Sequence, residues 1–408
     1  MSDESPGLLR SVLAGFSEGP VLALGATQTL AYGSLYYAYG VLAPTIARDF
    51  NIGLDAFFGI FSVGLLLGGF VAPLVGRLLD AHGARIVMAG GSLGATVALL
   101  FCAWAPSLPV FGVSIILMEI ATCFVVYESA FAGLTQIHRH NARQRITSIT
   151  LIAGFASTIF WPLTLWLESR FGWRGTLLLF ALSHLAIAAP LHWFVLKAAK
   201  PLASAGPGDA ASPPDAPSLQ GAARQRAILL YTIVICVSGL AYASIPVHML
   251  RIIENEGFPA ETAALIAMVM GPAQVASRIV EMAFGQRFDA LVTGRIALGT
   301  LTACLLILLV GSGSPVVAVV FAALYGVSQG LITIARGTVP LLLFGPNGYA
   351  TLVGRVTGLR FFVNAGAPVA FATIATHLGM GTAVATLAAL AGIAFLTFLR
   401  LQRPDPSL

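Results

Sequence analysis

Long apolar runs broken by short polar stretches dominate this chain. A helix that crosses a bilayer needs about 20 mostly apolar residues, and at that length the sequence predicts twelve spans. The first six fall near 21–46, 54–75, 86–105, 108–132, 144–167 and 173–196. The second six fall near 227–251, 259–284, 294–311, 315–343, 350–376 and 380–401. Between the sets, 197–226 contains Pro-Leu-Ala-Ser-Ala-Gly-Pro-Gly and Ser-Pro-Pro-Asp-Ala-Pro-Ser. Such a stretch can neither bury a core nor sit in lipid, so it reads as a flexible linker. The expected architecture is an all-α membrane protein with two pseudo-symmetric six-helix bundles, 1–196 and 227–408, joined by a cytoplasmic linker over 197–226.

The polar breaks carry most of the remaining information. Gly76-Arg77-Leu78-Leu79-Asp80-Ala81-His82-Gly83-Ala84-Arg85 separates the second and third runs. It reads as a short polar hairpin at a membrane surface, because charge at the bilayer centre costs roughly 2.5–3.5 kcal/mol. About two hundred residues later, Gly285-Gln286-Arg287-Phe288-Asp289 followed by Gly294-Arg295 echoes it. Arg145-Ile146-Thr147 opens the fifth run and Arg355-Val356-Thr357 the eleventh, while Glu128 and Arg336 occupy matching positions in the two halves. The repeat is parallel, six spans against six, the arrangement from which a transport pathway between halves is expected.

Composition narrows the class. Of 408 residues, 57% are hydrophobic and only 10% charged, with a mean hydropathy of +0.88; soluble domains carry about 25% charged residues. The net charge of +5 does not indicate nucleic acid, since no basic aromatic stripe is present. Loops after even-numbered spans hold Arg77, Arg85, Arg139, Arg143, Arg145, Lys197, Lys200, Arg224, Arg226, Arg287 and Arg295. The opposite loops are short or mixed, as with Arg48 beside Asp49. Both termini are therefore expected on the cytoplasmic side of the membrane.

No Walker-type phosphate loop, nucleophile constellation or metal-ligand spacing occurs in the sequence. Cys102, Cys123, Cys236 and Cys304 stand singly in apolar runs and read as small buried hydrophobes. Gly64-xxx-Gly68 and Gly90-Gly91-Ser92-Leu93-Gly94 read as close helix packing. The expectation is a monomeric secondary carrier rather than an enzyme, without cofactor or metal. Its partners would be a small-molecule substrate, protons and the bilayer.

These residues resemble the major facilitator superfamily over essentially the whole chain. Gly76-xxx-Asp80-xx-Gly83-x-Arg85 is similar to that family's loop motif between spans two and three. A finer resemblance is to bacterial relatives of the monocarboxylate and oxalate/formate transporters. It rests on Tyr39-Gly40-Val41, Phe50, Phe61-Ser62, Pro73, Gly172-Trp173-Arg174 and Phe344-Gly345-Pro346. Gln274-Val275-Ala276-Ser277-Arg278 resembles the stretch of span eight in which an acid precedes an essential arginine by one turn, and Gln274 stands where the acid is expected. The resemblance implies a twelve-helix alternating-access carrier. It also implies that Asp80 docks on the start of span eleven, whose helix N-terminus attracts negative charge, and that Arg85 holds the hairpin to its own half. Asp289 would be the counterpart of Asp80, facing the start of span five. Gly76 and Gly83 complete this gating set.

Charges inside spans are costly and usually face a wet cavity or a partner. Arg278 presents a planar, permanent charge suited to a carboxylate, with an intrahelical pair to Glu281 as the alternative. Arg360 lies in span eleven where the repeat has Thr150, and Asn364 follows one turn on. Gln28, Tyr32 and Tyr36 form a polar-aromatic stripe on span one, matched by Tyr242 on span seven. With Gln274 these are the candidate substrate contacts. Glu119, near the middle of span four, is costly to keep charged away from water, so it can take a proton on one side and release it on the other. Glu128 and Arg336 are candidates to pair as an inner gate. The expected function is proton-coupled or exchange transport of a small organic anion, monocarboxylate-like. The alternative is efflux of hydrophobic drugs or of arsenite- and antimonite-type metalloids.

Overall fold

A computed structural model describes residues 19–138, 141–199, 218–285, 289–311 and 313–403 of the protein, without the side chain of residue 198. Among these residues ten helices are long and apolar enough to cross a membrane. One of them, Ala142–Val195, turns at Gly172, whose φ of 65° is non-helical. Residues 19–49 form a further helical segment with a π-helical turn at Gly33–Tyr37. Counting Ala142–Val195 as two gives twelve helical segments, consistent with the twelve expected spans. Residues 200–217 of the expected linker, the Gln286–Phe288 part of the echo, and Arg139 lie outside the described residues. Within the expected linker, helix already begins at Gly221.

The described chain forms two compact units. Among the described residues, the first contains those between 19 and 199 together with 346–361, and the second those between 218 and 345 with 362–403. The first is built around a buried cluster that includes Tyr39, Phe57, Leu99, Phe111, Met118 and Phe160. The second is built around Ile245, Leu301, Leu305, Phe321, Tyr325 and Ala391. Small residues make these packings possible, since without a hydrophobic drive between helices in lipid, association depends on close backbone approach and on interhelical hydrogen bonds.

Irregular helical geometry is concentrated in the first unit. The π turn at Gly33–Tyr37 meets a second one at His184–Ala188, and Ser34 Oγ lies 2.8 Å from His184 Nε2 where they touch. About two turns further along, His192 bonds Ser92 Oγ at 2.9 Å and Thr27 Oγ1 at 3.0 Å. Both imidazoles are fully buried. They tie span six to spans one and three by satisfying polar groups that lipid cannot satisfy. At the other end of this unit, the Trp173 Nε1–H donates to Asp49 at 2.6 Å and Arg174 pairs with the same carboxylate at 3.1 Å. The Gly172 turn is what brings these two side chains back over the end of span one.

Span four is interrupted. Helix Leu108–Val125 stops at Val126, which is extended (φ −83°, ψ −173°), and helix Tyr127–Ile137 begins after it. Consecutive β-branched valines at 125 and 126 weaken helix locally. The carbonyls freed by the break are taken by side chains: Gln28 Nε2 donates to Val125 O at 2.6 Å and Ser129 Oγ to Cys123 O at 3.0 Å.

Candidate functional site

The polar stretch 76–85 is helical to His82, so the expected hairpin is a single-residue turn at Gly83. Gly83 has φ 81° and ψ 155°, a conformation that costs glycine little and other residues much. Gln136 on span four fixes the turn, accepting from the Ala84 N–H and donating to Leu79 O, each at 2.9 Å. Nothing in the sequence marked Gln136; its signal was a buried polar residue two turns beyond Glu128. Arg85 leaves the turn to donate from Nε to Trp193 O at 2.8 Å, with its guanidinium 4.1 Å over the Trp193 ring.

Asp80, one turn before Gly83, faces the segment that opens span eleven. Its carboxylate accepts from Thr351 N at 2.7 Å and from Ala350 N at 3.3 Å. These N–H groups belong to the first turn of helix Tyr349–Ala365 and have no partner within the helix, so an anion there satisfies them and complements the helix dipole. Below this contact the two spans meet backbone to backbone. A Cβ on Gly76 would collide with the Ala350 carbonyl, one on Gly354 would stand 2.6 Å from Ala72 O, and one on Gly358 would stand 2.5 Å from Gly69 O. The Gly76 of the motif thus serves close approach rather than a turn.

Further along the same contact lies an intramembrane ion pair. Glu128 is in the first turn of Tyr127–Ile137, and its Oε1 accepts from Arg360 Nη2 at 3.0 Å. Arg360 is 9% exposed. The partner of Glu128 is therefore Arg360, not the expected Arg336: the interruption at Val126 turns Glu128 toward span eleven. Arg336 is half-buried in the second unit, where its backbone carbonyl accepts from Tyr231 Oη at 3.1 Å. A small cavity of about 20 Å³ beside the pair is bounded by Gly76, Cys123, Glu128, Thr357 and Phe361.

The stripe expected on span one is not a single face. The π turn contains an extra residue per turn relative to an α-helix, which rotates Tyr36 away from Gln28 and Tyr32. Gln28 is fully buried and serves the break in span four, Tyr32 packs on Tyr127 with ring centroids 4.6 Å apart, and Tyr36 is 63% exposed. Glu119 lies across Gly64 of span two, where a Cβ would come within 2.7 Å of its Cγ. It is half-buried, and its carboxylate has no hydrogen bond or ion pair among the described residues.

In the second unit Arg278 is buried, at 2% exposure, on helix Met270–Phe284. Gln274, one turn earlier, is half-buried, and its carbonyl accepts from Ser277 Oγ at 2.8 Å. Gly330 of span ten packs directly over Gln274 and Ser277. Glu281 Oε1 accepts from Thr293 Oγ1 at 3.0 Å. Tyr242 does not offer its hydroxyl freely: Oη is 2.6 Å from Ser328 Oγ, which itself donates to Ala297 O. Asn364 lies over Gly239 of span seven, and its buried Oδ1 has no partner among the described residues. Asp289 departs from expectation. It caps its own helix, accepting from Val292 N at 2.9 Å, and pairs with Arg403 at 2.6 Å. Three residues before a free N–H is the N-cap geometry, which wins locally over any distant helix start. Among the described residues no three His, Cys, Asp or Glu side chains gather as a metal site.

Comparison with known proteins agrees with this geometry. The sequence profile of the Major Facilitator Superfamily matches residues 24–372. The chain is 26% identical over 330 residues to Monocarboxylate transporter 13 of Bos taurus, covering 79% of this chain and 74% of that protein. It is 27% identical over 262 residues to Monocarboxylate transporter 11 of Mus musculus, covering 62% of this chain and 56% of that one. Among solved structures, the human organic anion transporter MFSD10 (TETRAN) superposes with a TM-score of 0.66 at 19% identity, covering 97% and 100% of the two chains. FucP in its outward conformation gives 0.67 at 16% identity, covering 94% and 99%. These likenesses are of fold. With a family match that runs from the first span into the eleventh, and a motif whose aspartate sits on the helix start it faces, this multi-pass membrane protein belongs to the major facilitator superfamily of small-molecule transporters.

Proposed function

We propose that this carrier moves small organic anions, of monocarboxylate type, by alternating access with a proton or by exchange. The observation that carries this reading is Arg278, an arginine 2% exposed inside an apolar helix. The similarity to monocarboxylate transporters supports the same class of solute. A guanidinium in that setting is expensive unless an anion is bound or held nearby, and its planar fork matches a carboxylate. Gln274 and Asn364 supply neutral donors on spans eight and eleven. Glu119, without a hydrogen-bond partner among the described residues, is the proton carrier. Asp80, Gly76, Gly83 and Arg85, with Glu128 and Arg360, form the inner gate. The protein works as a monomer in a bacterial inner membrane with both termini in the cytoplasm.

The test is uptake of radiolabelled acetate, pyruvate and lactate into proteoliposomes, beside thermal unfolding of the purified protein with the same acids. A ligand at 100 times its dissociation constant stabilises the folded state by about 2.7 kcal/mol. Arg278→Gln is expected to abolish both signals while leaving a monodisperse protein. If Arg278→Gln transports normally, the arginine is not the anion site. A second reading, efflux of a cationic drug or a trivalent metalloid, is favoured by the carboxylate of Glu119, which has no partner among the described residues. It gains if drugs, arsenite or antimonite alone stabilise the protein and Glu119→Gln removes the effect.

A further inference from the structure

A cavity of about 430 Å³ lies in the second unit, where spans seven and nine end and span twelve begins. That volume falls in the range of about 300–1,000 Å³ typical of small-molecule sites. Helix Gly221–Asn255 brings its last residue and Glu256 just after it. Helix Ala290–Val310 brings Leu308 and Leu309 of its last turn, and helix Met380–Leu399 brings Met380 and Val384. Span twelve packs on both of the other helices, so the cavity is walled within one unit. On the topology proposed above this is the outer surface of the bilayer, and no step of the proposed transport uses it.

Glu256 sets the chemistry of this cavity. The Gly313 N–H donates to its Oε2 at 2.8 Å, which fixes the carboxylate against the turn between spans nine and ten. Its Oε1 makes no hydrogen bond or ion pair among the described residues. Two helices end here, and the carbonyls of a last turn have no donor within their own helix. Each such end carries about half a negative charge. The start of Met380–Leu399 brings about half a charge of the opposite sign, which two helix ends and a full carboxylate outweigh. The cavity therefore attracts a cation. One carboxylate is too little for calcium, which takes about six to eight oxygen ligands. Among the described residues no aromatic ring lines the space, as recognition of a quaternary ammonium needs. A primary ammonium instead offers several N–H donors, which Glu256 Oε1 and last-turn carbonyls can accept. Leu308, Leu309, Met380 and Val384 offer apolar surface to its carbon chain.

We propose that this cavity binds the primary ammonium group of an organic amine, held by Glu256 and the ends of spans seven and nine. The amine is a free solute or the headgroup of an ethanolamine phospholipid, two sources of the same chemistry at a bilayer surface. A bound amine joins Glu256 to the last turn of Ala290–Val310 and so ties the ends of spans seven and nine together. The site stands on these residues alone and does not depend on which solute the carrier moves.

The test titrates the full-length protein, delipidated in detergent, with butylamine and with butyltrimethylammonium, read by calorimetry. Butylamine is expected to bind saturably. Its trimethylated counterpart has no N–H and should bind about tenfold more weakly, the worth of one charge-assisted hydrogen bond. Glu256→Gln keeps a carbonyl for the Gly313 N–H but removes the charge, and should weaken butylamine by about the same factor. Gly381→Phe leaves Glu256 untouched. Gly381 lines the cavity and a Cβ there meets no atom within 4 Å, so the ring should fill the space and abolish binding. The site is overturned by no butylamine binding, by equal binding of the two cations, by an affinity of Glu256→Gln within twofold of wild type, or by binding retained in Gly381→Phe. Repeating the titration in nanodiscs of phosphatidylcholine and of phosphatidylethanolamine separates the sources. A lower butylamine affinity in phosphatidylethanolamine assigns the site to the lipid headgroup, and equal affinity in the two assigns it to a free amine.

Discussion

Replacing Asp80 by alanine removes one side chain that holds residues 346–361 against the rest of the first unit. The carboxylate accepts from two backbone N–H groups, one at 2.7 Å and one at 3.3 Å. A hydrogen bond to a charged acceptor contributes about 1.5–3 kcal/mol, and the longer of these two counts for less. The charge at the helix N-terminus adds roughly 0.3–1 kcal/mol. A loss of about 2–3 kcal/mol follows, which favours the open form of this contact by roughly 30- to 150-fold. Cys123 gives a built-in reporter. The residue is 8% exposed and borders the cavity under the contact, with Gly76 and Phe361. With Cys102, Cys236 and Cys304 replaced, maleimide labelling of Cys123 in detergent should accelerate by a factor in that range in Asp80→Ala. Asp80→Asn keeps one acceptor oxygen and should fall in between. A labelling rate within twofold of the parent in Asp80→Ala would refute the argument that this carboxylate holds the segment closed.

Three further outcomes are expected. Gly354→Val places a side chain against Ala72 O and the Gly76 backbone, which cannot yield, so it should open the same contact at a cost of about 1–3 kcal/mol and raise Cys123 labelling as Asp80→Ala does. His192→Ala loses bonds to Ser92 and Thr27 and leaves a void in a fully packed site; it should cost about 2–4 kcal/mol and lower the thermal unfolding temperature, checked by scanning fluorimetry. Asp49 and Arg174 are each 44% exposed, so a double-mutant cycle on that pair should return a coupling below about 1 kcal/mol that shrinks further in high salt.

What the sequence determined by itself follows from solvent. Lipid demands long apolar helices, and the runs of about twenty such residues, with arginines confined to alternate loops, leave few other readings of the chain. The docking of the motif's aspartate on a helix start came from the motif's resemblance to a known family, and the helix dipole supplies its physical reason. Tertiary structure alone decided which side chains meet. Two π turns and the break at Val126 each shift the facing of residues by part of a turn, and periodicity at 3.6 residues cannot anticipate such shifts. They separated Tyr36 from Gln28 and Tyr32, and gave Glu128 to Arg360 instead of Arg336. Asp289 was claimed by its own helix because a cap three residues away forms at almost no entropic cost, whereas a long-range dock must first be assembled. Residue type and spacing therefore fixed the solvent and the spans. The pairings inside the bundle were set by local departures from helical geometry, which cost little in energy and leave almost no trace in the pattern of residues.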